Sequence, residues 1–440
     1  MKQYRIQAAS GAELVRAVEG AVAAGELAPG ERLPSVRRLA AQVGLSPGTV
    51  AAGFAELRRR GIVVSEPRRG VRVGVAPPLG SSRRLLAVPE GARDLSRGNP
   101  DPALLPDLSA ALAGVRMPAR LYGEQAALPE LTELAARQLR EEGMRGVSLC
   151  VVSGALDGIE RVIDAHLRPG DRVAVENPGY AALFDLLRAR GLGFEAVGVD
   201  ERGMRPTELR FALARGARAA IVTPRGQNPT GAAFDGPRAH ELRDVLGEFP
   251  HVLAIEDDHL GLLAGRRINS ALPRSERWAA TRSVAKALGP DLRVAILVGD
   301  PLTVARVQGR LECGPGWVSH ILQRLVVALW SDPAAAALVA GARRAYDERR
   351  RRLLRELAAR GVAATGASGL NVWIPVDDET AAVAGLLQRG WVVAPGEAYR
   401  LPGSAPAVRV TIATLVPAES RRLASDLADV LAGARSGRAG

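Results

Sequence analysis

The sequence predicts an α/β protein in two parts, a small N-terminal helix-turn-helix closed by a β-hairpin and a larger domain on a mostly parallel sheet. Three observations carry this. Ser-capped amphipathic helices and a basic hairpin fill residues 1–76, β-branched runs alternate with helical stretches beyond residue 95, and APPLGSSRR lies between them without periodicity. The expected division is a first domain at 1–76, a linker at 77–94 and a second domain at 95–440, with a smaller subdomain over about 315–440. A length of 440 residues accommodates this, and 47% hydrophobic with 24% charged residues argues against disorder.

From Ala12 to Ala24, Leu14, Val18, Ala21 and Val22 fall on one helical face, and Gly25 ends the segment. Ser35 caps a second helix, in which Val36, Leu39, Ala40 and Val43 recur at three and four residues until Gly44 stops it. Ser46 caps a third, with Pro47 at the first helical position where its missing N–H costs nothing, running to Gly61. Two helices joined by a Gly-containing turn make a helix-turn-helix, and the third helix is the natural reader of a DNA groove. IVVS, EPRRG and VRVGV follow as a hairpin with Arg68 and Arg69 at its tip. This arrangement presents Ser46 and Thr49 to the major groove of double-stranded DNA and the two arginines to its phosphates. Residues 1–76 hold twelve Lys and Arg against six Glu, half of the net +12, as a phosphate-binding module requires. A three-helix packing domain with solvated arginines is the alternative.

GELAPGERLPSVRRLAAQVGLSPGTVAAGFAELRRRGIV resembles the winged helix of the GntR regulator family. Such domains usually carry Arg after the Ser of helix three, where this chain has Pro47. The resemblance leaves Arg37, Thr49 and the wing arginines as DNA contacts, with Ser35 and Ser46 at the helix starts, and implies phosphate anchoring more than base readout.

In the second part SLCVVS, DRVAVENP, AAIVTP, VLAIEDD and VAILVGD read as strands with helices such as YAALFDLLRARG between some of them. Functional groups of such a sheet belong at the carboxyl ends of its strands. Ser153 and Gly154 follow CVV, Asn228 follows IVTP, and Asp257 follows LAI.

Of the 59 Lys and Arg only two are lysines, Lys2 and Lys286. A chain that uses Arg wherever positive charge suffices points to Lys286, within TRSVAKALGPDLR, as a residue with a task Arg cannot perform. Lys can lose its proton when desolvated and attack a carbonyl to form a Schiff base, whereas Arg stays protonated. Lys286 is therefore read as a pyridoxal 5'-phosphate (PLP) lysine, with a stray surface lysine as the alternative. PLP chemistry gives each strand end a task. The Ser153-Gly154-Ala155 turn lets a phosphate approach the N–H groups of the next helix, and Ser283 and Arg293 close round it. Asp257 would keep the pyridine nitrogen protonated, Asn228 would bond the ring hydroxyl and Tyr180 would offer an aromatic face. Singly each has a bland alternative, such as an Asn-Pro turn at Asn228 or a surface charge at Arg293, but together they occur in the right order.

The marks GNPDPALLPDL, YGEQAALPEL, SGALDGIE, ENPGY, NPTG, EDD, SVAKALGPDLR and VRVTIA resemble the class I aminotransferases, fold type I of the PLP enzymes, over nearly all of residues 95–430. The resemblance implies an internal aldimine at Lys286, Asp257 on the ring nitrogen, Arg409 on an amino acid carboxylate, and a homodimer in which Tyr122 reaches a neighbour's cofactor phosphate. Two positions depart from the pattern: His259 stands where a cofactor-bonding tyrosine is usual, and Leu156 replaces a polar residue. His259 could still donate to the ring oxygen, although the departure weighs against efficient turnover.

A GntR-like winged helix joined to an aminotransferase-like domain resembles the MocR subfamily of bacterial regulators. The expected function is a DNA-binding transcription regulator that senses PLP, or an amino acid or amine, through Lys286. A working aminotransferase with a vestigial DNA-binding module is the rival, and a PLP store ranks lowest. Cys150 and Cys313 make no disulfide framework, no Cys/His cluster points to a metal, and no apolar run reaches the roughly 18 residues that cross a bilayer. A cytoplasmic protein, neither secreted nor bound to membrane, is expected.

Overall fold

The computed structural model describes residues 6–24, 26–59, 62–66, 70–74, 88–264, 267–273 and 277–436. The chain divides into two compact units, one built on Met1–Ser81 and one on the bulk of the remainder. Residues 77–87 of the expected linker, and the wing-tip Arg68 and Arg69, lie outside the described residues.

In the N-terminal unit the helices are Gly11–Ala23, Val36–Val43 and Pro47–Arg59. The first begins one residue earlier than its pattern suggests because Ser10, not Gly11, is the cap. Ser10 accepts from Glu13 N, and the Glu13 carboxylate accepts from Ala9 N at 2.8 Å. Ser35 caps the second helix by accepting from Arg38 N, and Gly44, at φ +72, ends it. Leu14, Val18, Leu39, Val50, Phe54 and Leu57 are fully or nearly fully buried against one another, and a buried Phe such as Phe54 contributes roughly 2–3 kcal/mol. Val63–Glu66 and Gly70–Val73 form the antiparallel wing, with Val63 opposite Val73. The segment before the second helix also pairs with the wing. Leu33 N donates to Val71 O at 2.9 Å and Val73 N to Glu31 O at 2.8 Å.

The second unit is organised by an eight-stranded sheet. Its order is Ser148–Val152, Ala295–Gly299, Trp278–Ser283, Leu253–Asp258, Ala219–Val222, Arg172–Asn177, Gly193–Asp200 and Gly203–Met204. The central strands run parallel, and Ala219–Val222 among them, AAIV, is the uninterrupted buried apolar run expected of such a sheet. Ala295–Gly299 is reversed against both its neighbours. Trp278–Ser283, with the sequence WAATRS, lacks the apolar signature of a strand, because its polar side chains are paired after burial: Thr281 with Asp257 and Arg282 with Glu256. A second, three-stranded antiparallel sheet sets Ala407–Thr411 between Asn371–Pro375 and Ala394–Pro395. The 26-residue helix Pro333–Ala358 packs against the C-terminal helix Pro417–Ser436.

Candidate functional site

Lys286 lies on the short helix Ala285–Leu288, directly after the strand Trp278–Ser283. Its side chain is half-buried, and Nζ donates to the carbonyl of Gly98 at 2.6 Å. Gly98 has φ +66 and its N–H donates to Thr411 Oγ1 at 2.9 Å.

The reversal of Ala295–Gly299 explains how a residue from the start of a strand joins groups from strand ends. Val152 and Ser283, at the carboxyl ends of two strands, both stand opposite Ala295, so Arg293 arrives beside them. Arg293, itself at φ +47, donates through Nη2 to Ser153 O at 2.9 Å. Gly154, at φ +104, precedes the helix Ala155–His166, and a Cβ there would stand 2.7 Å from Arg293 Nη2. The Ser153 N–H is spent on Asp157 Oδ2, while the first N–H groups of the helix, at Ala155 and Leu156, have no intrahelical acceptor. Ser283 is buried, and its Oγ accepts from Ala285 N at 3.3 Å. The result is a cationic hollow at a helix N-terminus that only glycine leaves open.

Asp257 ends the fully buried strand Leu253–Asp258 together with Asp258. Thr281 Oγ1 donates to Asp257 Oδ1 at 3.1 Å, but burial dominates and pushes the carboxyl up to about 7. Asp258 behaves oppositely. Burial opposes its ionisation, yet Arg225, bound to it at 2.7 Å, and Arg282 hold it below the ordinary carboxylate range. His259 is enclosed beside the Lys286 ammonium, and both effects bring its imidazole down to about 4, so it is neutral at physiological pH.

Arg409 is buried in the middle of its strand, with Trp373 and Ala394 on either side. Its Nη1 donates to Asn228 Oδ1 at 3.0 Å, Nη2 donates to Ser96 O, and its guanidinium lies over the Tyr399 ring at 4.6 Å. Asn228 thus meets Arg409, a partner unforeseen in the sequence. Half-buried Tyr180 is close enough to oppose ionisation of the Tyr399 hydroxyl, whose pKa burial raises most. Behind the Asn228 turn, Gln227 donates to Glu176 at 3.1 Å and to Pro178 O at 2.8 Å. Burial pushes Glu176 up to about 7.

Gly98, Thr281 and Tyr399 were missed as site residues. The GNPDP motif marked the neighbourhood of Gly98, but neither Thr281 nor Tyr399 carries a local signal. Tyr122 stands apart, 93% exposed, its ring edge-on to Trp317 at 5.6 Å. In the N-terminal unit Ser35, Arg37 and Ser46 are exposed and Thr49 is half-exposed. The Thr49 hydroxyl is not free: it bonds Ser46 Oγ at 2.8 Å, and that oxygen also accepts from Thr49 N at 3.0 Å.

A glycine-gated cationic hollow, a buried carboxyl raised for want of a cation, and an amine within one sheet edge fit a phosphorylated aldehyde with a basic ring nitrogen. Residues 92–427 match the family model for aminotransferase class I and II, and residues 11–73 match that for bacterial regulatory proteins of the gntR family. The chain is 39% identical over 422 residues to the vitamin B6 salvage pathway transcriptional repressor PtsJ of Salmonella typhimurium, covering 95% of this chain and 98% of that protein. It is 30% identical over 362 residues to the HTH-type pyridoxine biosynthesis transcriptional regulator PdxR of Corynebacterium glutamicum, covering 78% and 76%. Among solved structures, Pyrococcus horikoshii kynurenine aminotransferase matches with a TM-score of 0.71 at 21% identity, covering 78% of this chain and 91% of that one, a likeness of fold alone.

Proposed function

The chain belongs to the MocR subfamily of GntR-type regulators, a gntR-family DNA-binding domain joined to an aminotransferase class I and II domain, and from that premise we propose that Lys286 is where it senses PLP or an amino compound. It is a PLP-dependent DNA-binding transcription regulator. The observation that carries the sensing role is the meeting of Lys286, Asp257 and the Arg293–Gly154 hollow at one sheet edge. PLP, when bound, supplies an electrophilic aldehyde and an electron-withdrawing ring. Ser153, Gly154, Ala155, Ser283 and Arg293 would hold the phosphate, Asp257 the ring nitrogen and Lys286 the aldehyde carbon. Tyr180, Asn228 and His259 would line the ring, and Arg409 would take the carboxylate of an effector.

The names of PtsJ and PdxR support vitamin B6 supply as the signal that is read. Ser35, Arg37, Ser46 and Thr49, with Arg68 and Arg69, form the DNA-facing set. The working division keeps residues 1–76, 77–94 and 95–440, the last including a smaller subdomain from about residue 315. The protein acts in the cytoplasm as a homodimer, with Tyr122 crossing to the partner's phosphate, which its exposure supports. Occupancy changes DNA affinity only if the two DNA-binding arrangements hold the ligand unequally.

Spectroscopy of the purified protein with PLP, beside Lys286→Ala, tests the attachment, and retardation of the DNA upstream of its own gene with and without PLP tests the response. Uptake of PLP that is unchanged in Lys286→Ala overturns the first, and retardation indifferent to PLP the second. Convergence of Arg409 on Asn228 favours a second reading, a working aminotransferase, which sustained multiple turnover with amino acids and a keto acid acceptor would establish.

A further inference from the structure

Outside the Lys286 site, the second unit holds a cleft of about 520 Å³ between the helix Pro129–Glu141, the residues Gly261, Leu262, Arg267 and Ile268, and the helix Pro333–Ala358. Four arginines line it, Arg137, Arg225, Arg267 and Arg343. Arg225 is buried at 7% exposure and is neutralised by Asp258 at 2.7 Å. The other three reach no carboxylate within 4.0 Å among the described residues. Of the acids on the wall, Glu142 is committed to Arg282 at 2.9 Å, and Glu141 has no ion pair among the described residues.

Three uncompensated guanidiniums against one carboxylate is an imbalance that an anion relieves. Arg343 is also held in position. Its Nε donates to Leu262 O, so the guanidinium is oriented while its two terminal nitrogens have no protein acceptor among the described residues. Burial and the like charge of Arg225 both lower its pKa, the signature of a cation set near another cation. Leu134, Leu262, Ile268 and Trp330 supply the apolar part of its lining. The volume falls within the usual range for small-molecule pockets.

We propose that this cleft is a second ligand site, separate from Lys286, that takes a phosphate monoester with a small ring: Arg343, Arg267 and Arg137 hold the phosphate and the Trp330 wall takes the ring. Planar guanidinium forks match phosphate oxygens, and Trp330 offers a flat apolar face of the size of one ring. The site adjoins the first through one residue, since Arg225 lines the cleft and grips Asp258, the neighbour of Asp257.

The test is calorimetric titration of the full-length protein with phenyl phosphate at fixed ionic strength, with Arg343→Ala, Arg267→Ala and Arg293→Ala alongside. Arg343 and Arg267 are exposed, so their truncation leaves the core intact. Saturable binding is expected to persist in the Arg293→Ala background, where the hollow beside Gly154 is disabled, and to weaken about tenfold or more when Arg343→Ala or Arg267→Ala is added to it, the loss of a charge-assisted contact setting the scale. Absence of saturable binding overturns the proposal. So does binding lost in Arg293→Ala and kept in Arg343→Ala, which would put the probe in the hollow beside Gly154. Because no arm depends on PLP uptake, failure here is distinct from failure of the Lys286 reading.

Discussion

Lys286 Nζ donates to the carbonyl oxygen of Gly98 at 2.6 Å, and Gly98 in turn faces the Arg409 guanidinium, 3.4 Å from where its Cβ would be. One backbone residue therefore touches both the amine expected to take the aldehyde and the cation expected to take a carboxylate. Lys286 must give up this carbonyl to react with an aldehyde, so the amine is held ready without being buried apart from the cleft.

Gly98→Ala tests that junction. At φ +66 an alanine is strained, and the new methyl would touch Arg409, so a stability loss of about 1 kcal/mol is expected in denaturant titration. The perturbation of the PLP spectrum by added amino acids should weaken as well. An alanine variant with unchanged stability and an unchanged amino acid response would contradict the arrangement.

Asp257 gives the cofactor-free protein a pH dependence of definite sign. The folded chain keeps this proton up to about pH 7, whereas the unfolded chain releases it near 3.8, so stability falls as pH rises through that window. The slope is at most about 1.4 kcal/mol per pH unit for one group. Glu176, pushed up to about 7, adds in the same direction, and His259, brought from 6.5 down to about 4, opposes both. Asp257→Asn should remove only its own part. Denaturant titrations of parent and variant across the window should diverge toward lower pH, with the parent gaining stability relative to the variant.

Gly154→Ala separates phosphate from ring. The backbone at φ +104 disfavours alanine, and the methyl would stand 2.7 Å from Arg293 Nη2, closing the hollow. PLP affinity should fall by roughly tenfold or more, the scale of one charge-assisted contact, while pyridoxal without phosphate binds as before. Equal losses for both would mean that the hollow is not the phosphate seat.

Arg37 is exposed on the second helix and forms no ion pair among the described residues. Arg37→Ala should weaken retardation of all DNA sequences alike and make the salt dependence shallower by about one phosphate contact. A change confined to one operator sequence would instead assign Arg37 to base readout.

Much of this was legible in the chain because its signals are local. Ser35 and Gly44 delimit a helix by capping chemistry, and Ala219–Val222, AAIV, is apolar enough to be a buried strand from composition alone. The strand Trp278–Ser283 was not, because Thr281 and Arg282 belong inside only once Asp257, Glu256 and Glu142 are there to meet them. Direction is likewise invisible: VAILVGD reads the same for either orientation, yet its reversal brings Arg293 to Ser153. The hydrogen bond between the Thr49 and Ser46 hydroxyls at the start of the third helix is likewise a contact that no sequence signal announces.

The reversed strand also fixes when a cofactor can be captured as the chain is made. Ser153 and Arg293 are 140 residues apart and meet only after the strand from Ala295 has slotted between its neighbours, a closure that local pairing cannot shortcut. A growing polypeptide that ends soon after Lys286 has that amine but not yet the contact between Arg293 and Ser153. If the proposed phosphate seat holds, firm retention of the vitamin would require a finished sheet.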